Sequence, residues 1–331
     1  IALVSQELLL KSPEIAYSSS ENSLILTHQF DSFNIIDDYP TIDLIVVNTF
    51  DHLPTSYLKL LCCERALFVY VHNCNSLLPY IGLPPVVNIV KAFFDSIFTL
   101  SLHKCSRALF DFAIRFHSRR RLLLYKHTSY LVMHDNMESF LVNKSKISKQ
   151  RIHLVPYSTL GQPSLSLPSS NHFYSFRIVT FGNIDFRRRN YSHGFQLFKI
   201  LRERGLNIEW VILGQFSNLN VSKKLAKLSL QYGVKPFIAG GNNRVSAGDA
   251  QRIISNADFL LPLHFKNVRL GCFLESFSVT KGSAVENDSL YYKKYSLLAS
   301  WYQPHQILKS LSISYSSMEN LAAFLESFYS L

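Results

Sequence analysis

The stretch from Phe176 to Phe198, FRIVTFGNIDFRRRNYSHGFQLF, decides how the rest of the chain reads. It opens on an apolar, strand-like run, Phe176-Arg177-Ile178-Val179-Thr180-Phe181, which Gly182 and Asn183 break as turn residues do. Arg187, Arg188 and Arg189 follow, then Asn190-Tyr191-Ser192, and then Phe195, Leu197, Phe198, Ile200 and Leu201 at helical spacing. The stretch therefore predicts strand, glycine turn, basic loop and helix. Such a turn lets an anionic group such as a diphosphate approach the backbone, and a helix N-terminus offers it free N–H groups and a favourable dipole. Ordered arginines add planar, charge-assisted donors worth roughly 1.5–3 kcal/mol per contact. The same residues also read as a solvated basic loop after an ordinary strand, because three adjacent arginines cannot all face one ligand.

Working outward, 331 residues of which 47% are hydrophobic can bury a large core and fit two domains of ordinary size. A charged fraction of 17% argues against disorder. The net charge of +11 points to anionic partners: phosphates, nucleic acid or an acidic membrane face. The five cysteines, Cys62, Cys63, Cys74, Cys105 and Cys272, are odd in number and form no CxxC pair, so a disulfide framework or thiolate zinc site is not expected. A reducing, cytoplasmic compartment fits them best. The chain begins at Ile1 without Met, and no stretch reads as a signal peptide. Ile81 to Leu102 is apolar, but Pro84, Pro85, Lys91 and Asp95 make it a poor transmembrane span.

In the first half, Ile1–Ser5, Ser23–Thr27, Ile42–Val47 and Leu67–Val71 read as short buried strands, with helical character over Leu53–Cys63. Tyr130–Met133 and Ile152–Pro156 read as further strands, and Met137–Val142 as a short helix. Apolar runs alternating with helical segments imply βαβ units and a parallel sheet. Ligands of such sheets bind beyond the carboxyl ends of the strands, where His72 stands; a lone histidine also reads as a structural residue. Only Gly82 occurs among residues 1–160, which argues against a GxGxxG dinucleotide fingerprint in this half. Val86–Tyr125 reads as amphipathic helix, and residues 115–126 mix Arg115, His117, Arg119, Arg120, Arg121 and Lys126 with Phe116 and three leucines. That mixture suits an anionic membrane surface, or equally a helix with one buried and one solvated face.

Ser158–Ser175, rich in Ser, Pro and Gly, is the best linker in the chain. The second half then repeats the rhythm: strands at Phe176–Phe181, Ile208–Leu213, Lys235–Ala239 and Ala257–Pro262, and helices to about Arg204, over Ser222–Tyr232 and over Ala247–Asn256. A long loop holds Lys266 and Arg269, a helix opens at Thr280–Ala284 and reaches Tyr292, Tyr295–Ala299 reads as a final strand, and Ser317–Tyr329 as a terminal helix. Eleven of the twelve glycines lie between Gly161 and Gly282, so close backbone approach to a ligand belongs to this half.

This plan resembles the GT-B glycosyltransferases, especially the nucleotide-sugar-dependent bacterial enzymes of family 4 (group 1). Phe181-Gly182-Asn183-Ile184 with Arg188-Arg189-Asn190-Tyr191 is similar to the opening of that group's donor domain, and Trp210–Gly214 and Asn256–Pro262 to its later strands. Thr280–Ala284 with Lys294 resembles its donor-site loop and helix, and Tyr70–Asn73 its acceptor-domain strand-end histidine. The chain departs from the group in having no glutamate pair with seven residues between, Glu275 and Glu286 being spaced differently, and in having Ala284 where the loop often has Gly.

The resemblance implies an α/β protein of two Rossmann-like domains facing a central cleft. Residues 1–160 would form the acceptor-binding domain, 161–175 the linker, 176–310 the donor-binding domain, and 311–331 a C-terminal segment whose helix packs back on the first domain. It implies transfer of a sugar, with retention, from a nucleotide-diphosphate sugar to a glycan or lipid-linked acceptor in bacterial surface polysaccharide or glycoconjugate synthesis. Gly182 and Asn183 would admit the diphosphate and sugar, and Arg188 or Arg189, with Lys281, would neutralise the departing diphosphate. Gly282, Ser283 and Glu286 would complete the donor site, and His72 would contact the sugar or stabilise the reacting centre. Asp135 and His134 are strand-end reserve candidates for the general base that an inverting transfer would need instead. No metal and no cofactor beyond the donor substrate are called for. The membrane partner would be met on its inner face through residues 115–126. Competing readings are an inactive GT-B-like nucleotide- or partner-binding module, a nucleotide-sugar epimerase, and a nucleic-acid binder. The last is disfavoured because no zinc-finger spacing, RNP-like aromatic motif or basic–heptad arrangement occurs.

Overall fold

The computed structural model describes residues 2–3, 44–47, 66–74, 128–145, 147–155, 176–270 and 273–329. Outside them lie the strand expected at Ser23–Thr27, the helical stretches expected at Leu53–Cys63 and Val86–Tyr125, the segment 115–126 expected to meet a membrane, and the linker expected at 161–175. The chain forms two compact units, Ile1–Pro156 with Arg269–Gly282, and Tyr157–Val268 with Ser283–Leu331.

In the first unit, β1 (Ala2–Leu3), β2 (Leu44–Val47), β3 (Ala66–Val71), β4 (Thr128–Val132) and β5 (Ile152–Leu154) form a parallel sheet in that order. Strand alternation explains its core: Leu67, Val69 and Val71 of β3 and Thr128, Tyr130 and Val132 of β4 are buried, with Val69 opposite Tyr130. Helix α1 (Asp135–Ser145) adds Met137 and Leu141. It begins before the expected Met137, because His134 caps it: the His134 carbonyl accepts from Met137 and Glu138, and its Nδ1 accepts from the Asn136 N–H at 3.2 Å.

The second unit contains β6 (Phe176–Phe181), α2 (Tyr191–Glu203), β7 (Ile208–Gln215), α3 (Leu219–Tyr232), β8 (Phe237–Gly241), α4 (Ala247–Ser255) and β9 (Phe259–Leu260). After β10 (Asn267–Leu270) and β11 (Phe273–Ser276) come α5 (Ala284–Tyr292), β12 (Tyr295–Ala299), β13 (Ser312–Tyr315) and α6 (Met318–Tyr329). Its sheet runs β13-β12-β9-β6-β7-β8, every pair parallel. The chain starts in the middle at β6, builds outward through β7 and β8, then returns to the other side of β6 with β9. That is the doubly wound order, and the reversal between β6 and β9 opens a crevice at their carboxyl ends.

The core beneath it follows from α2. Tyr191, Gly194, Phe195, Leu197, Phe198 and Leu201 are its buried face. Phe198 stacks on Trp210, ring centroids 4.7 Å apart, and Trp210 Nε1 donates to Thr180 Oγ1 at 3.1 Å. Gly194 is required here, since a Cβ would stand 2.7 Å from the Trp210 ring.

Two sequence expectations are corrected. The long loop around Lys266 and Arg269 contains the two-stranded sheet β10–β11. Tyr295–Ala299 is not the final strand, because β13 pairs with it in parallel. The terminal helix buries Met318, Leu321, Ala322 and Leu325 in the second unit's own core and is tied to α2 by Gln196–Glu319 and Arg204–Glu326.

Candidate functional site

The second unit places the opening motif at its switch point. Beyond β6, the Gly182 N–H donates to Leu213 O and the Ile184 N–H to Gln215 O, so the ladder to β7 continues through the turn. Gly182 takes φ 98°, a conformation that favours glycine. Gly214 lies so close to it that a Cβ there would sit 2.1 Å from Gly182 O. The loop 185–190 is stitched to the segment after β9: Asn190 N–H donates to Leu263 O and Phe265 N–H to Arg188 O. Leu263 itself is held at φ 52°, unusual for a bulky residue and sustained by burial of its side chain.

The three arginines have three different fates. Arg187 grips the buried Asp185, its Nη2 2.8 Å from Oδ2, and its own N–H donates to Oδ1 at 2.9 Å. Burial alone would raise the Asp185 carboxyl, but the Arg187 hydrogen bonds and the charges of Arg187 and Arg188 hold it below the usual value. Arg189 folds back over Gly182 and donates to Asn183 O at 2.6 Å and Phe181 O at 2.5 Å. Its Nε and the neighbouring Tyr191 hydroxyl are buried without a well-formed hydrogen bond. Burial pushes that hydroxyl up to about 12, against the opposing pull of Arg189. Arg188 is the most loosely held of the three: its side chain is 45% exposed, and its Nε stands 4.0 Å from Asp185 Oδ2.

Further along the second unit, Ser283 is the N-cap of α5, its hydroxyl accepting from the Val285 N–H at 3.3 Å. Glu286 in the first turn is buried and accepts from the His305 N–H. Asp288, on the same helix, is pushed up to about 7 by burial.

The first unit gathers a different set. His72, Asn73 and Cys74 follow β3, and residues 277–282 lie across them: Cys74 N–H donates to Thr280 O at 2.7 Å, Gly282 N–H to His72 O, and Asn73 bridges Lys281. Lys281 Nζ donates to Asn73 Oδ1 at 2.6 Å and lies 5.6 Å from the centre of the Phe277 ring. Asn136 Nδ2 donates to Ser278 O, and Gly282 abuts Met133, which follows β4. The His72 ring packs on Tyr70, centroids 4.6 Å apart. Buried Cys74, beside buried Glu275, has its thiol raised well above the ordinary value by burial first and by that charge second. Asp135 is the first residue of α1, where a helix N-terminus favours a carboxylate.

Thus His72, Asp135, Lys281 and Gly282 belong to the first unit, and Gly182, Asn183, Arg188, Arg189, Ser283 and Glu286 to the second. Sequence reasoning missed Asp185 and Asn73. The first was marked by an acid two residues before Arg187; the second had no signal, standing 208 positions from Lys281.

No protein-family model matches the chain, and no curated protein matches it in sequence. Its fold is similar to that of solved structures. A glycosyltransferase from Rickettsia africae matches with TM-score 0.55 at 12% identity, over all of this chain and 79% of that one. TarM of S. aureus, solved with Fondaparinux, alpha-GlcNAc-glycerol and UDP, matches with TM-score 0.51 at 9% identity, over 87% of this chain and 48% of that one. A trehalose-6-phosphate synthase studied for glycosyl transfer with retention matches with TM-score 0.50 at 12% identity, over 88% and 68%. The chain has the α/β fold of the GT-B glycosyltransferases, with two Rossmann-like units, as its sequence led us to expect.

Proposed function

We propose that this protein is a glycosyltransferase that moves a sugar from a nucleotide-diphosphate donor to a glycan or lipid-linked acceptor, with retention, in bacterial surface polysaccharide or glycoconjugate synthesis. One observation carries the reading: at the switch point of a doubly wound sheet, a glycine turn stands beside an arginine whose guanidinium makes no hydrogen bond among the described residues, in a fold shared with glycosyltransferases. The turn at Gly182 and Asn183 admits the diphosphate, and Arg188 supplies charge-assisted donors to it. Arg189 fixes the turn and reaches the same phosphates when its two carbonyls release it. Gly282 gives the chain room to enter α5, whose capped N-terminus at Ser283 favours an anion, and Glu286 holds that helix against the His305 segment. Lys281 neutralises the leaving diphosphate, and His72 contacts the transferred sugar. Asp135 is held in reserve as the general base that an inverting course would need instead. Catalysis on this reading is positioning plus electrostatic stabilisation of the departing nucleotide. The first unit would bind acceptor and the second donor, in a cytoplasmic protein on the inner membrane face. Among the described residues no helix is long and apolar enough to cross a membrane.

A second reading, an inactive module that binds nucleotide or a protein partner, is favoured by the engagement of Lys281 with Asn73. Release of nucleoside diphosphate from a panel of nucleotide sugars separates the two. The enzyme reading expects turnover that falls at least tenfold in Arg188→Ala and in Lys281→Ala. Binding of a nucleotide without turnover on any donor, with or without glycan acceptors, would replace it with the second.

A further inference from the structure

From Trp210 to Gly248 the chain has no Asp or Glu and carries Lys223, Lys224, Lys227, Lys235 and Arg244. This stretch is one edge of the second unit: β7, α3 and the edge strand β8. Helix α3 turns Val221, Leu225 and Leu228 inward. Its opposite stripe is Leu219, Lys223, Ala226, Lys227 and Leu230, and the two leucines are 75% and 86% exposed. On β8, Phe237 and Ile238 are 58% and 37% exposed. Among the described residues Lys223, Lys227, Lys235 and Arg244 have no ion-pair partner, while Lys224 lies over the Phe186 ring.

Large apolar side chains interleaved with unpaired cations restrict what can cover this edge. A second copy would set two carboxylate-free basic faces against each other, and like charges repel. A nucleic acid would use the lysines but leave Leu219, Leu230 and Ile238 without a base to stack on. An anionic bilayer uses both: the lysines reach headgroup phosphates while the aliphatic groups enter the acyl boundary. We propose that the α3–β8 edge docks the protein on an anionic lipid surface. This docking is independent of residues 115–126 and of any sugar transfer.

The full chain is tested by co-sedimentation with vesicles of phosphatidylcholine, alone or mixed with phosphatidylglycerol, at physiological salt. Binding is expected only to the mixed vesicles. Lys223→Ala with Lys227→Ala should weaken it at least tenfold, at about fivefold for each lysine. Leu219→Ser with Leu230→Ser should weaken it comparably, and neither variant should shift the melting temperature, since all four side chains are exposed. Failure of the wild type to bind mixed vesicles overturns the proposal, as does wild-type binding by both variants. So does a wild-type dimer in sedimentation that the leucine variant abolishes. Retained binding in the leucine variant, together with displacement of the vesicles by homopolymeric RNA, would assign the edge to nucleic acid instead.

Discussion

At the scale of single residues, the arginine run shows how identical side chains divide their work. Arg187 neutralises a buried acid and Arg189 ties down two carbonyls, so of the three Arg188 is the least engaged, with a long 4.0 Å ion pair to Asp185. Arg188→Ala should therefore leave the melting temperature nearly unchanged and weaken nucleoside diphosphate binding by at least tenfold, the loss of a charge-assisted contact of roughly 1.5–3 kcal/mol. Arg189→Ala should lower the melting temperature of the apo protein, because Phe181 and Asn183 lose their donors. Asp185 gives a pH test. Its folded pKa lies below the unfolded one, so its stabilisation is present above the unfolded value and lost as pH falls through the folded value. Asp185→Asn should melt below wild type at neutral pH, and the gap should close as pH drops below about 4.

At the scale of elements, the turn at β6 and the helix α5 make separate predictions. Gly214→Ala drives a Cβ into Gly182 O and should displace the turn, lowering both melting temperature and nucleotide affinity. On α5, burial raises Asp288 to about 7, the opposite sign from Asp185. Ionising it disfavours the folded state, so its cost appears as pH rises from about 4 to about 7. Asp288→Asn should melt above wild type at alkaline pH and level with it in acid, as thermal melts across that range would show. The elements were largely legible in the sequence, for local reasons. Phe176–Phe181 is a β-rich run closed by glycine, and Asn218 and Gly233 bracket α3 as N-cap and left-handed C-cap. What was missed depended on distant partners. Among the described residues β10 and β11 pair with each other alone, and Ser312–Tyr315 becomes a strand because β12 offers it an edge.

At the scale of the molecule, the doubly wound order of the second sheet gives the glycine turn its meaning, since only that order puts residues after β6 and after β9 at one crevice. Composition placed the glycines in that half but could not place Lys281 within the compact unit that holds His72. The segment 269–282 leaves one unit for the other, a tertiary event with no local signature. Nor could charge alone sort the three arginines, whose fates depend on which carbonyls and acids the fold turns toward them. The most direct test of the central claim is a thermal-shift panel of nucleoside diphosphates and nucleotide sugars on wild type and Arg188→Ala. A ligand at a hundred times its Kd stabilises by about 2.7 kcal/mol, which a melting curve resolves easily. The account predicts that at least one nucleoside diphosphate raises the wild-type melting temperature, and that Arg188→Ala largely abolishes the rise. A wild type that no nucleotide on the panel stabilises would contradict it and leave the arginine loop a solvated surface on a glycosyltransferase-like fold.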